Sequence, residues 1–305
     1  MDKQLIQDLV EERKQLKERK EFEKADEIRK RVEAQGYILR DTPDGKTDMS
    51  PIEQKKSDKN DNYVLLFGSG ETTPVGRRIH EAVFQKIGKK EIKIALVSTP
   101  AGFQPNVHVV QEEIAVFFRD HLTNFHPHVD IVYANTHDEA NNASIIAPVA
   151  NADYIFIGPG SPTYAIRHLA GTQLLSTIIS SVKNGKTLCS ASAATIAFSQ
   201  YSLPVYELYK VGADLHWEKG LDVYKELYRS ITVVPHFNNN EGGEKTDTSF
   251  CYMGKPRFKK LWDLLPEKKN SIGIDEQTAL VINLRTKEEI IQGLGTCHYA
   301  IPELL

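Results

Sequence analysis

The residues best suited to covalent chemistry lie in a segment of small side chains, KTLCSASAATIAFS, at residues 186–199. A buried strand usually favours larger residues such as Val or Ile, so this segment indicates close approach of backbones. A nucleophilic serine on a sharp strand-to-helix turn needs small residues two positions before it and two positions after it. Ser190 and Ala194 meet that requirement around Ser192. Ser192 is therefore the candidate nucleophile; the alternative is a tight turn with a capping serine.

Two neighbouring side chains in the same segment fit this pattern less well. Cys189 would be flanked by Thr187 and Ala191, and Ser190 would have the large Leu188 two positions before it. A cysteine nucleophile at Cys189, as in an amidotransferase, stays an alternative hypothesis.

Backbone N–H groups near Ser192 could bind a developing oxyanion. The N–H of Ala193 lies at the start of the predicted helix, where the helix dipole favours negative charge. A second predicted strand ends in Gly158-Pro-Gly160, and a helix opens at Ser161-Pro162. The N–H of Gly160 is the second candidate donor, although the same sequence also suits an ordinary strand-to-helix loop.

A candidate general base follows another apolar strand, in the sequence VVPHFNNNEGG. His236 stands between that strand and a run of turn-forming residues, which would place its imidazole at a strand end. A base must lie within hydrogen-bond distance of the nucleophile. The alternative is a histidine that only caps a loop.

Seven apolar segments separated by helical patterns would position these groups. The alternation predicts an α/β domain, a mostly parallel sheet with helices on both faces. Ligands of such sheets bind at the carboxyl ends of the strands, where the candidate residues fall. The predicted strands are residues 63–68, 92–100, 129–135, 153–160, 186–192, 230–237 and 278–284.

These motifs together resemble the dipeptidase E and cyanophycinase serine peptidases. The resemblance covers roughly residues 62–300 and includes LLFGSGE, ALVSTPAGFQPN, FIGPGSPTYAIRHL, SASAAT, VVPHF and GIDEQTALVI. It implies a fold similar to the glutamine amidotransferase-like domain. It also implies that Ser192 is the nucleophile, His236 the base, and Gly160 and Ala193 the oxyanion donors.

The resemblance further implies an acid between the nucleophile and the base. Glu207 follows Ser192 by fifteen residues and is the first choice, and Asp214 is the alternative. Either carboxylate could orient the imidazole. Asp275 and Glu276 come after His236 and are interpreted as structural or binding groups.

The sequence departs from the family pattern around the expected substrate. Both glycines of the elbow are replaced, and Pro162 stands where the peptidases often have a polar residue. Asn238, Asn239, Asn240 and Glu241 replace basic residues. Ser161, Asn238 and Asn239 are therefore predicted to contact substrate, and the family's known specificities do not transfer.

The first 47 residues differ in character from the rest. Leu9, Leu16, Ile28 and Val32 recur at helical spacing among balanced charges, which predicts a small helical hairpin. Residues 1–47 resemble the C-terminal module of cysteinyl-tRNA synthetases, notably in ADEIR followed by DTPDG. That resemblance implies an adaptor that contacts tRNA or a protein. Residues 48–61 are polar and predict a linker, followed by the α/β domain at residues 62–305.

Net charge, cysteine content and the distribution of apolar residues limit the classes of protein to which the sequence can belong. The net charge of -3 gives no electrostatic case for nucleic-acid binding by the whole chain, and three widely spaced cysteines suggest neither disulfides nor zinc. The sequence contains neither a signal-like segment nor an apolar run of membrane-spanning length. We expect a cytoplasmic protein without metal or cofactor; the family makes a homodimer reasonable.

Two functions of different classes follow from these patterns. The first is a serine hydrolase that cleaves a small peptide or amide, such as one of an acidic amino acid, through an acyl-enzyme. The second is a non-catalytic binding protein on a peptidase scaffold, which the lost glycines motivate. Geometry separates them, because only the hydrolase requires Ser192, His236 and a carboxylate in line.

Overall fold

Helices and strands alternate through most of the chain in the computed structural model, which describes residues 3–19, 21–33, 37–41, 47–51 and 61–305. The chain divides into two units, Met1–Lys56 and Ser57–Leu305.

The N-terminal unit contains the predicted helical hairpin and a strand pair. Helices α1 (Lys3–Glu18) and α2 (Phe22–Glu33) bury Leu9, Ile28 and Val32 between them. Strands β1 (Tyr37–Asp41) and β2 (Thr47–Pro51) pair in antiparallel fashion. The linker prediction is therefore wrong for residues 48–51, which extend a strand of this unit, and residues 52–60 lie outside the described residues.

The second unit is built on a seven-stranded sheet with the order β13-β12-β3-β7-β6-β4-β5. The five strands from β3 to β5 in that order are mutually parallel, and β12 and β13 are antiparallel additions at one edge. The predicted fold class is confirmed. Its strands are β3 (Tyr63–Phe67), β4 (Lys93–Val97), β5 (His128–Val132), β6 (Tyr154–Ile157), β7 (Thr187–Ala191), β12 (Thr278–Asn283) and β13 (Glu289–Gly293).

Helices cover both faces of this sheet, because alternate strand residues point to opposite sides. On one face Leu65 and Phe67 pack with α3 and α4, and on the other face Val64 and Leu66 pack with α5 to α8. The helices of this unit are α3 (Pro74–Ile87), α4 (Val107–His121), α5 (Ala143–Asn151), α6 (Pro162–Leu169), α7 (Gln173–Lys183), α8 (Ala193–Ala197), α9 (Val223–Leu227) and α10 (Lys255–Leu264).

Two smaller sheets lie beside the main sheet. Strand β10 (Thr232–Val234) pairs in parallel with β11 (Ser271–Ile274), which pairs with β14 (Cys297–His298). The strand predicted before His236 thus belongs to a separate three-stranded sheet. The other pair is β8 (Tyr201–Ser202) with β9 (Glu218–Lys219).

Among the described helices, none has the length and apolar character required to cross a bilayer.

Candidate active site

Ser192 lies at the turn between β7 and α8, with a backbone conformation that is rare outside glycine. Its φ is 49° and its ψ is -109°, and a residue held in such a region costs on the order of 1–3 kcal/mol. The surrounding structure supports this conformation, since the N–H of Ser192 donates to the carbonyl of Phe67 at the end of β3 (3.4 Å). The turn therefore presents the hydroxyl above the carboxyl end of the sheet, as expected for a nucleophile elbow.

The replaced elbow glycines are compatible with this turn. Neither Ser190 nor Ala194 is among the described residues with positive φ, so neither position requires glycine. Ser190 is fully buried, and its hydroxyl donates to the carbonyl of Leu65 (3.1 Å) and contacts the hydroxyl of Tyr224 (2.8 Å). The side chain of Ser190 is thus accommodated at the position of the family glycine, and its hydroxyl is hydrogen-bonded inside the protein.

Cys189 lies in the strand below the turn and is fully buried. Burial raises the pKa of its thiol, and the nearby Tyr154 hydroxyl only partly opposes this effect. A nucleophilic thiol needs exposure and a lowered pKa. The structure therefore argues against Cys189 as the nucleophile.

His236 contacts Ser192 directly. Its Nε2 lies 2.9 Å from Ser192 Oγ, although the two residues follow strands of different sheets. The N–H of His236 donates to the carbonyl of Gly68 (3.2 Å), which holds the histidine against the end of β3. A side chain on Gly68 would meet the Asp275 carbonyl oxygen at 2.1 Å, so the close approach of the Asp275 backbone to this position requires glycine.

The other imidazole nitrogen contacts Glu276. His236 Nδ1 lies 3.0 Å from Glu276 Oε1. A carboxylate only accepts hydrogen bonds, so Nδ1 carries the proton and Nε2 is free to accept from Ser192. Ser192, His236 and Glu276 consequently form the line of hydrogen bonds that a serine nucleophile needs.

Glu276 corrects the prediction of the acid, for which Glu207 and Asp214 were the candidates. Strands β10 and β11 are parallel neighbours, so their carboxyl ends meet at one edge. His236 follows the last residue of β10 by two positions, and Glu276 follows the last residue of β11 by two positions. This matching offset could have been read from the sequence, but only if the pairing of the two strands had been known.

Asn238 and Asn239, the predicted substrate contacts, both form hydrogen bonds to Glu276. Asn239 is buried, and its Nδ2 donates to Glu276 Oε1 at 2.6 Å. Asn238 Oδ1 accepts from the backbone N–H of Glu276 at 2.8 Å. The hydrogen bonds from His236 and Asn239 hold the pKa of Glu276 below its usual range, so the acid stays ionised at neutral pH.

The two predicted acids lie elsewhere. Glu207 begins a π-helix (Glu207–Val211) and borders a cavity together with Ser161. Asp214 is exposed, and its backbone carbonyl accepts from His216 Nδ1. Sequence distance from Ser192 was a poor guide because it does not determine which carboxylate contacts the imidazole.

The predicted oxyanion donors Gly160 and Ala193 lie in a tightly packed loop and at the start of α8. Ala193 is the first residue of α8, and a first-turn N–H has no carbonyl partner within its own helix. Gly160 has a φ of +148°, and an added Cβ would lie 2.0 Å from the Pro100 carbonyl oxygen. Ser161, the third predicted substrate contact, caps α6 by accepting from the Tyr164 N–H at 3.1 Å.

Comparison with known proteins identifies the family of this arrangement. The model of Peptidase family S51 matches residues 64–290. The chain belongs to peptidase family S51. No curated protein matches the sequence.

Solved structures similar to this S51 chain have the same fold. A peptidase from an acI-B1 Actinobacterium aligns with a TM-score of 0.58 and 21% identity, covering 78% of this chain and 96% of its own. A candidate peptidase E protein from Listeria monocytogenes EGD-e aligns with a TM-score of 0.50 and 14% identity, covering 77% of this chain and 100% of its own. These structures confirm the fold of the α/β domain. The match to the family model confirms the predicted resemblance to this type of peptidase.

Two further side chains, Tyr252 and Glu71, lie near the catalytic candidates. Tyr252 packs its ring on His236 with centroids 5.4 Å apart, and it belongs to a run with Phe250 and Cys251 in which every φ is positive. Glu71, directly after the Gly-rich turn that follows β3, is a buried carboxyl group whose pKa is raised by burial. Sequence analysis assigned no role to either group.

In the described ranges of this S51 peptidase, His, Cys, Asp and Glu form no cluster of three or more that could hold a metal ion.

Proposed function

We propose that this S51 peptidase is a serine hydrolase of small peptides or amides, with Ser192, His236 and Glu276 as its catalytic triad. The observation that carries the proposal is the continuous line of contacts, 2.9 Å from Ser192 to His236 and 3.0 Å from His236 to Glu276. These contacts favour a hydrolase over a binding protein with the same fold, because only a hydrolase requires them.

Catalysis begins at Ser192, whose Oγ attacks the carbonyl carbon of the scissile bond. His236 Nε2 accepts the hydroxyl proton and then donates it to the leaving amine. Glu276 keeps Nδ1 protonated and stabilises the imidazolium that forms. Since hydrogen bonds hold the pKa of Glu276 low, this carboxylate remains charged throughout the step.

The N–H groups of Gly160 and Ala193 stabilise the oxyanion of the tetrahedral intermediate. Donors of this kind are already oriented before the reaction, so they are not reorganised in the transition state. Departure of the amine leaves an ester on Ser192. Water activated by His236 then hydrolyses the ester and frees the enzyme.

The proposed substrate class is a short peptide or a small amide, because the acyl-enzyme chemistry described above cleaves amide bonds. The N-terminal unit stays a candidate contact for tRNA or a protein partner. It lies outside the residues that match the peptidase family, so its partner is to be tested separately from catalysis.

Labelling with a fluorophosphonate probe tests the proposal without knowledge of the substrate. Mass spectrometry should locate the probe on Ser192 of the wild-type protein, and both Ser192→Ala and His236→Ala should lose it. Absence of labelling in folded wild-type protein would instead support the binding-protein alternative. Labelling at another serine would refute the assignment of Ser192.

A further inference from the structure

A second segment of the chain packs against the backbone that carries the base. The N–H of Phe250 donates to the carbonyl of Phe237 (2.8 Å). The N–H of Cys251 donates to the carbonyl of His236 (3.1 Å). Two hydrogen bonds between consecutive residues fix both the position and the direction of one segment relative to the other. The backbone itself therefore places the next residue, Tyr252, beside the imidazole.

This segment has an unusual backbone conformation. The φ angles of Phe250, Cys251 and Tyr252 are 54°, 57° and 68°. Residues other than glycine usually enter this left-handed region singly, because the Cβ atom meets the following carbonyl oxygen. Such a run persists only where surrounding contacts hold it, and strained backbone of this kind is concentrated at functional sites. His236 itself has a φ of 51°, so both segments are strained at the point where they meet.

Buried contacts hold the strained segment. The ring of Phe250 lies 4.7 Å from that of Phe237 and 4.9 Å from that of Phe258, measured between centroids. Cys251 is buried, and the N–H of Tyr252 donates to the carbonyl of Thr248 (3.0 Å). A turn anchored in this way leaves the side chain of Tyr252 few directions in which to point.

The ring of Tyr252 lies against the imidazole of His236. The two centroids are 5.4 Å apart, and the ring planes are inclined by 51°. Ser192 and Glu276 occupy the two imidazole nitrogens. A neighbouring ring restricts rotation of the imidazole about its side-chain bonds. It also keeps away water that would compete for the nitrogens and weaken their hydrogen bonds.

The other end of the tyrosine is linked back to the triad. Its hydroxyl donates to Glu241 Oε1 at 3.2 Å, and burial together with this carboxylate raises the pKa of Tyr252, so the hydroxyl stays protonated. The N–H of Glu241 donates to Asn239 Oδ1 at 3.2 Å. Asn239 Nδ2 donates to Glu276 Oε1 at 2.6 Å. These contacts close a circuit from the base through Tyr252, Glu241 and Asn239 to the acid.

We propose that Tyr252 is a positioning residue of the triad, whose ring holds the imidazole of His236 between Ser192 and Glu276 and excludes water from one side of it. Tyr252 acts through the base and not on the substrate. Its effect on catalysis rests on the proposed function, whereas its effect on the hydrogen bond between His236 and Glu276 does not.

Two kinds of substitution separate the ring from the hydroxyl. Tyr252→Phe keeps the ring and loses only the contact with the exposed Glu241, so fluorophosphonate labelling of Ser192 should stay within about twofold of the wild-type rate. Tyr252→Asn removes the ring but suits a positive φ, so the turn should be kept. Its labelling should slow about three- to tenfold, the range that an aromatic contact contributes. Tyr252→Leu is a second variant without the ring and should slow similarly.

Proton NMR gives a readout that a loss of stability alone would not change. The Nδ1 proton of a histidine bonded to a carboxylate resonates far downfield, and exchange with water broadens its signal. The signal of His236 is assigned by its absence in His236→Ala. Tyr252→Phe should keep this signal, and Tyr252→Asn should broaden or lose it in protein that circular dichroism shows to be folded.

Tyr133→Asn is the matched control, because it removes the same ring from another histidine. Tyr133 packs on His108 with centroids 4.5 Å apart, and it follows β5, the edge strand of the main sheet. Labelling and the His236 signal should both match wild type. An equal loss of rate in this control or in Tyr252→Phe would overturn the role of the Tyr252 ring.

The two readouts separate this inference from the proposed function. Labelled wild-type protein with unchanged rate and signal in Tyr252→Asn and Tyr252→Leu would refute the positioning role alone. Wild-type protein that is not labelled would refute the hydrolase, and the NMR comparison would still decide whether Tyr252 holds the imidazole. A wild-type spectrum without the His236 signal would overturn the protection of the imidazole from water.

Discussion

Replacement of Glu276 by glutamine tests which carboxylate belongs to the triad. The variant keeps the size of the side chain and an oxygen that can accept from His236 Nδ1, but it removes the negative charge. His236 becomes positively charged in the transition state, so the missing charge should slow the reaction rather than only change the geometry.

The magnitude follows from the distance between the groups. Nδ1 and Oε1 are 3.0 Å apart, and unit charges about 4 Å apart interact by about 4 kcal/mol at an effective dielectric constant of 20. The side chains of His236 and Glu276 are 14% and 30% exposed, so water reduces this figure to about 2–4 kcal/mol. The rate of labelling should therefore fall roughly 30- to 1,000-fold.

The assay is the second-order rate constant for fluorophosphonate labelling of Ser192, measured from about pH 6 to pH 9. Because the pKa of Glu276 is held below its usual range, the carboxylate does not titrate in this interval. Glu276→Gln should consequently lower the rate at every pH. Circular dichroism and thermal unfolding would verify that the variant is folded.

Glu207→Gln and Asp214→Asn are matched controls, since each makes the same chemical change away from His236. Both should label within about threefold of the wild-type rate, because neither carboxylate contacts the imidazole. A wild-type rate in Glu276→Gln, or an equal loss in Glu207→Gln, would refute the assignment.

Three further predictions concern backbone strain and burial around the site. Ser192→Gly should melt about 2–4 °C above Ser192→Ala, since relief of the positive φ exceeds the entropic cost of glycine by about 1 kcal/mol; equal melting temperatures would contradict strain at this turn. Gly160→Ala should label about 100-fold more slowly, because its Cβ would displace the loop from Pro100; an unchanged rate in folded protein would remove Gly160 from the oxyanion site. Burial raises the pKa of Glu71, so the folded state binds its proton more tightly and loses stability as pH rises through that pKa. The melting temperature of Glu71→Gln should therefore rise relative to that of wild type as the pH increases above the usual pKa range of a glutamate, and a pH-independent difference would contradict this.

Local sequence patterns predicted the strand-to-helix turn at Ser192, because an elbow is a local structure. The positions of Ser190 and Ala194 relative to Ser192 are fixed by the turn itself, and the structure places Ser192 at the junction of β7 and α8. Alternating apolar segments likewise predicted the parallel sheet, since each buried strand must be apolar along its length.

The acid could not be predicted in the same way. Glu276 lies 40 residues after His236 along the chain, yet the two side chains touch. Their contact depends on the parallel pairing of β10 and β11, and that pairing forms a sheet separate from the one the sequence predicted. Glu207 had a plausible spacing from Ser192, but spacing carries no information about the direction in which the chain turns.

The sequence by itself determined the α/β class, the helical hairpin, the strand-to-helix turn at Ser192 and the strand end at His236, because these depend on short-range patterns of size and polarity. Only the tertiary structure decided that Glu276 contacts the imidazole, that Asn238 and Asn239 hold this acid, and that Glu207 borders a cavity. Those outcomes depend on how distant segments pack against one another, and packing between segments far apart in the chain leaves no local pattern to read.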